Sequence, residues 1–138
     1  MRLAFSFLDM MDKVLIVDGH SVVFSTADLA EVYRGDGRVA RNMLMRELTL
    51  YQDMNEVSVV LVFDGRGKTL DSEPRQDKDI LVMYSRDGQT ADTVIERIVA
   101  KHAVSYDVTV VSNDRMVLDT ISAFGAHPMS VRMMWEIV

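Results

Sequence analysis

Carboxylates at the ends of apolar segments are the residues of this sequence best suited to chemistry. Asp18, Asp64 and Asp114 each follow an apolar run, and Asp92 and Glu96 stand four positions apart within a predicted helix and so share one of its faces. Carboxylates held close together raise each other's pKa unless a cation neutralises them. An all-oxygen ligand set favours Mg²⁺ or Mn²⁺, so the chemistry that fits is metal-assisted hydrolysis of a phosphodiester bond.

The segments that must position these carboxylates form an alternating series. Continuous apolar runs are typical of strands buried on both faces of a parallel sheet. Such runs predict three strong strands and two weaker ones, over residues 13–17, 57–63, 107–111, 80–84 and 126–129. Helical spacing of apolar residues predicts four helices, over residues 38–53, 90–102, 115–124 and 130–138. The alternation predicts an α/β fold with a mostly parallel sheet of about five strands.

Local signals support the helix boundaries and indicate two loops. Thr90 and Ser130 are suitable N-caps, and Gly125 is a suitable helix stop. Residues 28–37 contain two glycines, and residues 65–79 are dense in charge, so both segments are predicted to be loops. In an open parallel sheet the carboxyl ends of the strands meet at one edge, where ligands bind. We therefore expect the acidic residues to converge at that edge.

Each acidic residue also has an ordinary structural role as an alternative. Asp18 and Asp64 precede glycine, and Asp–Gly pairs favour turns. Asp92 and Asp114 stand at the beginnings of predicted helices, where a carboxylate caps the helix or interacts with its N-terminus. Glu96 could form a solvated ion pair with basic neighbours on its own helix. Their common position at one edge favours the functional interpretation.

Composition limits the class of protein. The chain has 138 residues, a net charge of −6 and no cysteine. We expect a leader over residues 1–12 and one domain over residues 13–138. The absence of cysteine excludes thiolate metal sites and thiol nucleophiles and fits a reducing, cytoplasmic location. No apolar run approaches the length of a membrane span, and the net charge argues against indiscriminate polyanion binding.

Basic residues after predicted strands are candidates for contacts with substrate phosphates. Arg66, Lys68 and Arg86 follow strand ends, and Arg115 is adjacent to Asp114. Arg115 is the strongest candidate because of that neighbour. The three histidines receive no catalytic role, although His20 alone lies near the predicted edge.

Several blocks of the sequence resemble the YacP-like NYN domains, a branch of the PIN-like nucleases. The segment VLIVDGHSVVF opens the resemblance at residues 14–24, and VFD follows at residues 62–64. The more specific blocks are TADTVIE at residues 90–96 and VVSNDR at residues 110–115. The resemblance extends in order over residues 13–138.

The resemblance implies a three-layer Rossmann-like PIN fold and an endoribonuclease that uses Mg²⁺ or Mn²⁺, with some relatives acting on mRNA at the ribosome. It assigns metal binding to Asp18, Asp92 and Asp114. It assigns supporting acidic positions to Asp64 and Glu96.

One position departs from the family pattern, which has asparagine where this chain has Ser21. We expect Ser21, Arg115, Arg66 and Lys68 to contact substrate. The sequence leaves open whether the protein forms a homodimer.

Two other functions are alternatives to the nuclease. A non-catalytic module that binds RNA or the ribosome would keep the PIN-like shape, and Ser21 and the acidic net charge favour it. A phosphatase would need a second aspartate two positions after Asp18, where this chain has His20. The complete acidic set favours the enzyme.

Overall fold

A computed structural model describes residues 12–65, 80–86 and 88–138 of the chain. The strands are β1 (Lys13–Asp18), β2 (Ser58–Phe63), β3 (Leu81–Tyr84), β4 (Asp107–Val111) and β5 (His127–Met129). The helices are α1 (Gly19–Ser25), α2 (Ala27–Gly35), α3 (Gly37–Met54), α4 (Ala91–His102), α5 (Arg115–Ala123) and α6 (Val131–Ile137). The predicted leader, apart from residue 12, and residues 66–79 of the second predicted loop lie outside the described residues.

All five described strands are parallel, in the order β3-β2-β1-β4-β5. The chain builds outward from β1 through β2 to β3 and then returns to place β4 on the other side of β1. The order therefore changes direction beside β1, and this switch point is where α/β sheets form a binding crevice. The predicted α/β architecture is confirmed, and the described sheet is parallel throughout rather than mostly parallel.

Two buried clusters separate the helices into layers. Alternate residues of β1 point to opposite faces of the sheet: Leu15 and Val17 pack with α1, α2, α3 and α6, whereas Ile16 packs with α4 and α5. The sheet is thus covered on both faces, which explains why its strands are apolar without alternation. The polar site residues are confined to the ends of the strands.

The prediction of a loop over residues 28–37 is wrong, because α2 occupies most of that segment. Leu29 is buried and Val32 and Tyr33 pack against the same core, which is helical spacing. Asp36 is the break between two helices, and its side chain caps α3 by accepting from the Arg38 backbone N–H at 2.9 Å. The glycines that suggested a loop only border this break.

A close contact between Gly19 and Phe63 joins the ends of β1 and β2. A Cβ atom at Gly19 would lie 2.3 Å from Cε1 of the fully buried Phe63 ring. Only glycine fits where α1 begins, because the ring fills the space that a side chain would need. This contact fixes the direction in which the chain leaves Asp18.

Candidate active site

Four aspartates from four separate segments line one open cavity of about 400 Å³ at the carboxyl edge of the sheet. Asp18 ends β1, Asp64 follows β2, Asp92 is the second residue of α4, and Asp114 precedes α5. The structure therefore brings together the four aspartates that the sequence analysis placed at this edge. The rest of the lining consists of His20, Ser21, Phe24, Thr90 and Ala91.

Asp18 is the most enclosed of these carboxylates, with 5% of its surface exposed. Its Oδ2 accepts hydrogen bonds from Ser21 Oγ at 2.9 Å and from Ser112 Oγ at 3.0 Å. Its Oδ1 accepts from the Ser21 backbone N–H at 3.5 Å, which makes Asp18 the N-cap of α1. A buried carboxylate needs such donors to offset its desolvation, so the two hydroxyls stabilise Asp18 and fix its orientation.

Ser112 is a supporting residue that the sequence analysis did not identify. It is fully buried, and its Oγ also accepts from the Asp114 backbone N–H at 3.0 Å. One hydroxyl therefore links the aspartate that ends β1 to the aspartate that precedes α5. The signal in the sequence is a serine directly after a buried strand, but nothing local indicates that its partner is 94 positions away.

A second buried serine supports Asp64. Ser85 Oγ donates to Asp64 Oδ1 at 3.2 Å and accepts from the Gly65 backbone N–H at 3.0 Å. On the other side, the Asp64 backbone N–H donates to His20 Nδ1 at 3.3 Å. The turn after β2 is thus held both by β3, through Ser85, and by α1, through His20.

Asp92 lies where the negative charges of the site concentrate. Thr90 caps α4 by accepting from the Thr93 backbone N–H at 3.2 Å, which sets Asp92 in the first turn. Burial raises the pKa of Asp92, and the negative charges of four other carboxylates raise it further, in the order Asp18, Asp114, Glu96 and Asp64. A cation in the cavity would relieve this repulsion.

Glu96 and Asp114 occupy less enclosed positions. Glu96 lies one turn beyond Asp92 on α4, outside the cavity lining, although its charge acts on Asp92. Asp114 is exposed and caps α5, since its Oδ1 accepts from the Met116 backbone N–H at 2.9 Å. Asp114 therefore both caps a helix, as the alternative interpretation predicted, and lines the cavity.

The predicted substrate-binding residues differ in what the structure shows. Ser21 lines the cavity, and its hydroxyl is engaged by Asp18 and by the Asn113 backbone N–H at 3.3 Å. Arg115 and Arg86 are exposed to solvent. Arg66 and Lys68 lie outside the described residues.

The donor set of the cavity suits a hard divalent cation, because carboxylate and hydroxyl oxygens are the ligands that Mg²⁺ and Mn²⁺ prefer. As the side chains stand, the His, Asp and Glu residues that the structure describes form no group of three or more placed to hold one ion. The carboxylates converge on a cavity of a size that admits an ion together with a phosphate group. The chemistry of the donors fits Mg²⁺ or Mn²⁺.

The family model of the YacP-like NYN domain matches residues 15–138, nearly the whole described sheet and both helical layers. The chain belongs to the YacP-like NYN domain family. This family lies among the PIN-like nucleases, which suggests a nuclease-like, RNA-related function. Such nucleases generally use divalent metals.

Two kinds of relative are similar to this NYN domain. The chain is 23% identical to protein YacP of Bacillus subtilis (strain 168) over 120 residues, which cover 86% of this chain and 71% of that protein. It also resembles two crystal structures of Rae1 (YacP) from Bacillus subtilis, one of them of a point mutant, each with a TM-score of 0.75. These structures are 23% and 24% identical and cover 91% of this chain and 74% and 73% of theirs, so they establish a shared fold.

Within the part of the NYN domain that the structure describes, no helix is both long and apolar enough to cross a membrane.

Proposed function

We propose that this protein is a metal-dependent endoribonuclease that hydrolyses RNA phosphodiester bonds. The observation that carries the proposal is the cavity at the switch point of the sheet, lined by four aspartates from four segments. Burial raises the pKa of Asp92, and repulsion from the neighbouring carboxylates raises it further. A divalent cation relieves this repulsion. Membership of the YacP-like NYN family supports the same chemistry.

Three of the aspartates are proposed to hold the metal. Asp18, Asp92 and Asp114 would supply the ligands for Mg²⁺ or Mn²⁺, and Asp64 and Glu96 would position water or a second ion. A divalent ion in such a site supplies Lewis acidity, activating water and offsetting charge on phosphate oxygens. Asp18 is prepared for this role because two hydroxyls already fix its orientation.

Contacts with the substrate are assigned to polar residues around the acidic centre. Ser21 lines the cavity beside Asp18, and its hydroxyl is proposed to contact the scissile phosphate by turning toward it the proton that Asp18 accepts in this structure. Arg115, adjacent to Asp114 and exposed, would bind a neighbouring phosphate. Arg66 and Lys68 are proposed to extend this contact. The substrate is proposed to be mRNA, with the ribosome as one setting, in the cytoplasm.

The test is cleavage of a labelled mixed-sequence RNA in Mn²⁺ or Mg²⁺, with and without EDTA. The Asp92→Asn, Asp114→Asn double variant is expected to lose cleavage, because it removes two of the three proposed ligands. Asp119→Asn is the matched control, since Asp119 is an exposed aspartate of α5 outside the cavity lining. Cleavage that survives EDTA or the double substitution would contradict the proposal.

A non-catalytic module that binds RNA or the ribosome is the second candidate. Ser21 favours it, because a hydroxyl replaces the amide found in the family and is already engaged by Asp18. Retained binding of RNA or ribosomes by a wild-type protein that cleaves neither free nor ribosome-bound mRNA would support the module over the nuclease.

A further inference from the structure

We infer that Phe24 and His20 form a platform on which an unpaired nucleobase of the substrate stacks beside the acidic cavity. The inference rests on the proposed nuclease function and assigns to it a residue that positions the substrate. Phe24 lines the same cavity as the four aspartates, yet 57% of its surface is exposed. A large aromatic side chain left in solvent beside a polar site is a common feature of ligand recognition.

The platform is held rigidly by its neighbours. The His20 ring stacks on Phe24 with centroids 5.5 Å apart and planes 11° apart. The rings of Tyr33 and Phe24 form a T-shaped pair with centroids 4.9 Å apart and planes at 75°. His20 is itself fixed, because its Nδ1 accepts from the Asp64 backbone N–H and its ring lies against Phe63 at 5.7 Å. His20 therefore covers part of the Phe24 ring, and the exposed 57% of the Phe24 surface is available to a planar partner.

The chemistry of the surroundings identifies that partner as a nucleobase. Phosphates next to the acidic cavity bring the bases of the same strand within reach of the ring, and aromatic side chains stack bases without regard to sequence. A base within a duplex is already stacked and paired, so only an unpaired base can use the platform. The net charge of −6 gives no general attraction to RNA, which increases the share of affinity that stacking must supply.

The experiment compares Phe24→Leu with wild type on a single-stranded RNA whose cleavage sites have been mapped. Leucine keeps an apolar side chain but has no ring face, so kcat/KM is expected to fall about 10- to 100-fold, and Phe24→Tyr should restore it. Phe124→Leu is the matched control, because Phe124 is 52% exposed at the end of α5 and does not line the cavity. An unchanged kcat/KM in Phe24→Leu would overturn the inference.

Substrates with a single abasic nucleotide at successive positions around the cut identify the stacked base. At one position the abasic nucleotide should lower the kcat/KM of wild type to that of Phe24→Leu on the intact RNA. The same substrate should not lower the kcat/KM of Phe24→Leu any further. Additive losses at every position would overturn the inference.

If wild type does not cleave RNA at all, the proposed function fails and the platform is tested by binding. Fluorescence anisotropy in Mg²⁺ should then show weaker binding of the single-stranded RNA to Phe24→Leu than to wild type. Equal affinities would overturn the inference.

Discussion

Replacing Ser112 by alanine removes the hydroxyl that links two aspartates of the candidate site. That hydroxyl donates to Asp18 Oδ2 at 3.0 Å and accepts from the Asp114 backbone N–H at 3.0 Å, in a fully buried position. A hydrogen bond to a charged group contributes about 1.5–3 kcal/mol, and a neutral one contributes about 1 kcal/mol. Because Ser21 still donates to the same carboxylate oxygen, Asp18 keeps one partner, and we expect a total loss of about 3 kcal/mol.

Urea denaturation followed by far-UV circular dichroism measures this loss. With a slope of about 1.5 kcal/mol per molar urea for a chain of this size, the midpoint should fall by about 2 M while the slope stays unchanged. Ser122→Ala is the matched control, since the exposed Ser122 hydroxyl donates only to the Leu118 carbonyl. This substitution should change the free energy of unfolding by less than about 0.5 kcal/mol. A Ser112→Ala midpoint as close to wild type as that of the control would refute the view that this hydroxyl stabilises the acidic centre.

The other predictions concern charge, metal and packing. The raised pKa of Asp92 means that its charged form is disfavoured in the folded state, so in EDTA Asp92→Asn should be more stable than wild type at neutral pH. The difference in the free energy of unfolding should vanish below the ordinary pKa of 3.8, where the carboxyl is protonated in both states. Urea titrations across pH measure this difference. Mn²⁺ at a hundred times its dissociation constant should stabilise wild type by about 2.7 kcal/mol but not the Asp92→Asn, Asp114→Asn variant, as thermal unfolding will show. Gly19→Ala should lower the free energy of unfolding by about 1–3 kcal/mol or more, because it forces a Cβ atom into the Phe63 ring. Gly35 has open space around it, so Gly35→Ala should be neutral or slightly stabilising in the same assay.

The parts of the fold that follow from local pattern were predictable from the sequence. The longer strands are apolar runs ended by a polar residue. All five described strands lie within one residue of their predicted bounds, and carboxylates stand at or just after the carboxyl ends of β1, β2 and β4. The helix over residues 27–35 was missed because only one of its residues, Leu29, is fully buried and glycines stand at its end. A weak apolar pattern next to glycine is also typical of a loop, so sequence could not decide between them.

The supporting contacts of the site were not predictable, because they depend on tertiary structure. Ser112 meets Asp18 across 94 positions, and Ser85 meets Asp64 across 21. A serine after a strand is common in loops and turns, and its partner is known only when neighbouring strands are in register. The stacking of Phe24 on His20 follows from α1, an element that was not predicted.

Two of the proposed ligands, Asp18 and Asp114, divide their oxygens between separate tasks. In each, Oδ1 accepts from the backbone at the start of a helix, Ser21 for one and Met116 for the other. Asparagine, serine and threonine perform the same capping but carry no charge. A descendant of this gene could therefore exchange Asp114 for one of them and lose its chemistry while its fold survived, whereas an exchange of Asp18 would also disturb the buried contact with Ser112. In such a lineage, a correctly folded protein would not have to be an active nuclease, and an inactive member could be kept as a binding protein.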